Sequence, residues 1–144
     1  MVREILHHRV VKCFWSLSLL CVGGLIYVGW RAESLLMFRW FDFLKLSPTV
    51  EVMRRWSVDY PLPDWIKFSL PDGLWIASYL FIMEAVWNGE KSLWSDTFLW
   101  WVPIVAVGSE ILQFFSVVPG TFDVVDLVCY LCAIVLFLLY RHWL

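Results

Sequence analysis

TFLWWVPIVAVGSEILQFFSV, Thr97 to Val117, is followed after a Pro119-Gly120-Thr121 turn by DVVDLVCYLCAIVLFLLY, Asp123 to Tyr140. Each run is close to the roughly 20 mostly apolar residues that an α-helix needs to cross a bilayer core. The turn between them is too short for anything but antiparallel neighbours. Two more apolar runs precede them. One covers about 10–30. The other, about 71–87, opens on Ser69-Leu-Pro-Asp72, where Pro71 suits a first helical turn and Asp72 suits the positive end of the helix dipole. The expected fold is therefore all-α: a polytopic membrane protein with four transmembrane helices, a single domain over 1–144. An interfacial helical segment, 31–68, separates helices 1 and 2.

Composition supports a bilayer environment. Of 144 residues, 61% are hydrophobic and 19% aromatic. Soluble domains average roughly 45–50% apolar, and one this small has too little interior to hide the excess. Eleven Trp and five Tyr suit the membrane–water interface. The net charge is -2, from 11 basic and 13 acidic residues, so nucleic acid is not an expected partner. No cofactor motif or internal repeat is evident. Cys13, Cys21, Cys129 and Cys132 lie in apolar stretches. Cys129 and Cys132 have C-x-x-C spacing without the polar context of a redox motif.

The basic start (Arg3, Arg9, Lys12) leads into an apolar run that continues to Trp30 with no small-residue cleavage site. It is expected to stay as the first span, with Lys12 snorkelling to the interface. Gly23-Gly24 and Gly29 offer small positions for close helix approach.

In 31–68, apolar Leu35, Leu36, Phe38, Trp40, Phe41, Phe43 and Leu44 mix with Arg39, Asp42 and Lys45, as in a helix lying in the interface plane. A second short helix is expected over 50–57, opening at Pro48-Thr49. Tyr60-Pro-Leu-Pro-Asp64 then breaks any helix. Asn88-Gly-Glu-Lys-Ser92 is a polar turn, and Ser95 or Asp96 suits the cap of the next helix.

Orientation is not decided by counting charges. With the N-terminus inside, Arg3, Arg9, Lys12, Lys91 and Arg141 face in, while six basic residues of 31–68 face out. The basic start ahead of the first span favours cytoplasmic termini in the plasma membrane.

An ionisable residue inside a span costs roughly 2.5–3.5 kcal/mol on insertion scales and usually faces protein or water. Glu110 is the most informative such residue, about 9 Å inside the end of its helix. Gln113 shares its face. Antiparallel spans bring the start of the second, the end of the third and the start of the fourth to one membrane face. Asp72, Glu110, Gln113, Asp123 and Asp126 are thus expected to line one polar pocket. Arg54 and Arg55, with Lys67, are the candidate counter-charges.

Two explanations stand for these acids. Asp72, Asp123 and Asp126 lie in first turns, where capping alone accounts for a carboxylate. Glu110 and Gln113 lack that explanation but suit interhelical hydrogen bonding. Glu84, near the far end of its span, is expected to reach the opposite interface, and His7, His8 and His142 are expected to be solvated. The pocket offers no His, so zinc is not expected and no metal ligand set is assigned.

Glu110-Ile-Leu-Gln113, a short turn, then Phe122-Asp123-Val-Val-Asp126 resembles the motif of the VanZ-like family of small multi-pass membrane proteins. The likeness covers 70–140. The family's loop Arg is absent, with Gly120-Thr121 near its place. Tyr130 and Ala133 stand where its last helix has Asn and Gly. The resemblance implies a cell-envelope role, since the founding member is associated with reduced susceptibility to teicoplanin; it implies no reaction. The expected ligand is a lipid headgroup or cell-wall precursor at the outer face. The alternative is a helical subunit acting through a membrane protein partner or as a homo-oligomeric pore. An enzyme ranks last, because neither a nucleophile nor a metal set is evident.

Overall fold

The computed structural model describes residues 2–143, with side chains described from residue 6. Among the described residues seven helices occur in order: α1 (Val2–Trp30), α2 (Leu36–Phe43), α3 (Ser47–Asp59), α4 (Asp64–Phe68), α5 (Leu70–Trp87), α6 (Leu93–Phe114) and α7 (Val124–Trp143). There is no strand among the described residues. Three helical stretches are long and apolar enough to cross a membrane: Leu6–Trp30, Leu93–Phe114 and Val124–Trp143. The 18 residues of α5, which carry Asp72 and Glu84, are not among them.

α5 is nevertheless the hub. It packs against α1, α6 and α7. Val86 is its one large hydrophobic residue well exposed, whereas α6 exposes Phe98, Trp101, Ile104 and Val105 among others. The core lies where α5, α6 and α7 meet, and consists of Ile76, Leu80, Leu99, Tyr130, Ala133 and Phe137. Among lipid-embedded helices such contacts hold by van der Waals fit more than by water exclusion, which rewards close approach. Gly73 provides it: a Cβ there would lie 2.9 Å from Cys129 Cβ and 3.1 Å from its carbonyl oxygen.

α1 packs on the opposite side of α5. A Cβ on Gly23 would lie 2.8 Å from Trp75 Nε1, and Tyr27 packs against the same indole. Lower down, the hydroxyls of Ser16 and Ser78 lie 3.1 Å apart, and Ser78 also donates to the Ser16 carbonyl at 2.8 Å. Gly29 faces Met53 and Ser57 of α3. Two of the three α1 glycines are thus occupied within the chain, and only Gly24 faces open space.

Helix ends differ from the sequence expectation in one informative place. α6 starts at Leu93, four residues before the expected Thr97. Ser92 is its cap: the Ser92 hydroxyl accepts from the Ser95 N–H, and the Ser95 hydroxyl accepts from the Ser92 N–H. The reciprocal pair satisfies two donors that a helix start otherwise leaves open. Asn88, left-handed at φ 50°, ends α5. Pro103 sits inside α6 and denies the Leu99 carbonyl its usual partner. The neighbouring carbonyl of Phe98 accepts a hydrogen bond from Tyr79 of α5, a side-chain supplement beside a proline in an apolar helix.

Candidate functional site

The expected acidic cluster lies where α5 starts, α6 ends and α7 starts. Glu110 is buried, at 5% exposure. Its Oε2 accepts the backbone N–H of Asp123 at 3.3 Å, tying the end of α6 to the entry of α7. Asp72 lies within electrostatic reach of Asp126, Glu110 and Arg31. Tyr130 is buried within reach of the same three carboxylates. Asp126 Oδ1 is sealed from solvent and has no hydrogen-bond partner. An unpaired buried oxygen of this kind costs about 1–3 kcal/mol.

The other expected members are placed differently. Asp123 is exposed, and its Oδ1 accepts the Val125 N–H at 2.8 Å, so it caps α7. Gln113 turns to the loop, where its amide lies against Gly120. A Cβ there would come within 2.6 Å of Gln113 Cδ, and φ at Gly120 is 144°. Asp72, Glu110 and Asp126 therefore come together, Asp123 borders them through its backbone, and Gln113 supports the loop.

Arg54 is engaged elsewhere. Its Nη1 donates to the carbonyls of Val28 and Arg31 at 2.7 and 2.9 Å, and its Nε pairs with Glu33 at 3.0 Å. The guanidinium lies over Phe38, 5.0 Å from the ring centre. It closes the electron-rich C-terminal end of α1, where a helix leaves carbonyls open. Ser57 adds a third such bond, to the Gly29 carbonyl. Lys67 pairs with Asp64 at 2.7 Å, and Arg55 is exposed. The cation that does act on Asp72 is Arg31, which also lies over Tyr27 and Phe68. It closes the first apolar run, and only the folding of α1 against α5 brings it to Asp72.

A second charged group occupies the opposite end. Glu84, in the last turn of α5, receives Lys12 Nζ at 3.5 Å on Oε1 and Arg141 Nε at 3.4 Å on Oε2. The side chains of Lys12 and Glu84 are only 8% and 7% exposed. Neither reaches outward as the sequence suggested. The reason is the packing of α1 antiparallel and α7 parallel to α5, which brings Lys12 and Arg141 to the same end as Glu84 and places one acid between two bases. A buried carboxylate held by two cations has its Coulombic compensation in place. A cavity of about 760 Å³ opens beside this triad, lined by His8, Asn88, Lys91, Asp96 and Arg141 among others.

Among the described residues, no group of three His, Cys, Asp or Glu side chains is arranged to hold a metal ion. No protein-family model, curated protein or solved structure matches the chain.

Proposed function

We propose that the chain is a VanZ-like, four-span membrane protein of the cell envelope, whose acidic end binds the cationic part of a lipid headgroup or cell-wall precursor at the outer face. α5 is the second of the four spans in chain order, α2–α4 lie in the outer interface, and both termini are cytoplasmic. The observation that carries the binding reading is an unpaired buried oxygen on Asp126 at the end of the bundle where Asp72 and Glu110, from two other helices, lie within electrostatic reach. Carboxylates gathered at one face, one of them with an unpaired oxygen, suit an ammonium group that donates hydrogen bonds. The family reading is supported by the Glu110-x-x-Gln113 and Phe122-Asp123-x-x-Asp126 pattern. The tie between Glu110 and Asp123, which joins its two halves, supports it further.

The test is native mass spectrometry of the full chain in mild detergent, with phosphatidylethanolamine as the amine-bearing probe and phosphatidylcholine as reference. The wild type is expected to retain phosphatidylethanolamine in preference. Glu110→Gln and Asp126→Asn are expected to lose that preference. An unchanged preference in both variants would remove the basis of the acidic site.

A further inference from the structure

The geometry assigns a second binding site to the opposite end: we propose that the cavity beside the Lys12–Glu84–Arg141 triad takes the phosphate of an anionic lipid headgroup. Three permanent cations line it, Lys12, Lys91 and Arg141, against the carboxylates of Glu84 and Asp96; His8 and His142 stand beside them. Cations are therefore in surplus before either histidine is protonated.

The triad leaves donors for a ligand. Arg141 meets Glu84 through Nε at 3.4 Å, and its two Nη groups carry four further N–H donors. Lys12 places one of its three N–H donors on Glu84. Glu84 orients both bases without neutralising them. A guanidinium held in this way suits the fork geometry of a phosphate.

Size and place select the kind of phosphate. The cavity, about 760 Å³, falls in the roughly 300–1,000 Å³ range of organic-ligand sites. It is far larger than a free phosphate ion requires. It opens at the ends of three helices: the last turn of α5 (Glu84), the first of α6 (Asp96) and the last of α7 (Arg141). Leu138 and Tyr140 of α7 give it an apolar wall. Leu136 and Leu139 stand exposed on the same helix, where an acyl chain can lie. A cationic hollow at a helix-bundle end beside exposed apolar helix is the place for a headgroup whose tails remain in the bilayer.

This inference does not depend on the acidic end, and its test separates the two. The full chain in detergent is titrated with phosphatidylglycerol, phosphatidylcholine, oleate and glycerol 3-phosphate, reading thermal midpoint and lipid retention by native mass spectrometry. Phosphatidylglycerol is expected to raise the midpoint and the other three to have little effect. Arg141→Gln and Lys91→Gln are each expected to weaken the apparent affinity about tenfold, the loss of one charge-assisted hydrogen bond. Lys91 is exposed in the turn before α6, so its variant reports on binding even where Arg141→Gln destabilises the fold. Asp126→Asn is expected to leave this affinity unchanged. Equal affinity in the wild type and Lys91→Gln would overturn the proposal, as would equal binding of phosphatidylcholine or of oleate. An equal effect of glycerol 3-phosphate would overturn the lipid source.

Discussion

The two ends of the bundle treat their acids in opposite ways. At the end where α1 starts and α7 finishes, Glu84 lies between Lys12 and Arg141 at 3.5 and 3.4 Å. At the other end, Asp72, Glu110 and Asp126 gather with Arg31 as the cation in reach, and one Asp126 oxygen has no partner at all. The first arrangement fastens three helices through one shared carboxylate and leaves a surplus of cations along the neighbouring cavity. The second sets three carboxylates toward one end and leaves one Asp126 oxygen unpaired among the described residues. An acid shared by two bases holds helices together, and the charge left over at each end, positive beside Glu84 and negative beside Asp126, marks where a partner of opposite charge is expected to bind.

The largest effect is expected at the Glu84 end. Glu84→Leu leaves Lys12 buried with no carboxylate, and removing one partner of a buried pair costs about 3–5 kcal/mol. The thermal midpoint in detergent should fall sharply. The double variant Lys12→Met/Glu84→Leu should recover much of the loss. A drop of similar size in the double variant would show that packing, not charge pairing, fastens this end.

A smaller loss is expected from Gly73→Leu. The new side chain meets the Cys129 backbone and pushes α5 from α7, an overpacking worth about 1–3 kcal/mol. Because Gly73 adjoins Asp72, the same change should also draw apart the acids of that end and reduce phosphatidylethanolamine retention. Gly24→Leu serves as control, since no atom lies within 4 Å of a Cβ there, and its midpoint should match the wild type.

The smallest effect has the opposite sign. Asp126→Asn removes one like charge and supplies an N–H₂ donor beside Glu110 and Asp72. It should raise the midpoint by about 1 kcal/mol equivalent or less, while abolishing the amine preference. A variant that loses stability instead would mean that the Asp126 carboxylate serves the fold.

Much of this architecture was legible in the chain because it obeys local rules. The helix over 70–87 could be placed from Pro71 and the polar turn at Asn88, and the break at 60–63 from its two prolines. Antiparallel order alone brought Asp72, Glu110 and Asp126 to one end. What escaped the sequence depended on pairing across helices. Lys12 read as reaching the interface, and Arg141 as a basic residue on the cytoplasmic flank of the last span. Only the packing of α1 and α7 on either side of α5 turns them toward Glu84. Arg54 read as a counter-charge to the acids, but the open carbonyls at the end of α1 claim it. The early start of α6 was missed because a Ser–Ser capping box lacks the acidic residue that usually announces one.

The opposition of the two ends requires α5 to cross the membrane, and side-specific labelling tests that directly. In a chain whose four cysteines are replaced by alanine, Asp59→Cys and Glu90→Cys are exposed to a membrane-impermeant maleimide in intact cells. The account predicts that position 59 is labelled from outside and position 90 only after the membrane is opened. Labelling of both from the same side would contradict it, leaving α5 outside the bilayer and both charged groups without their membrane faces.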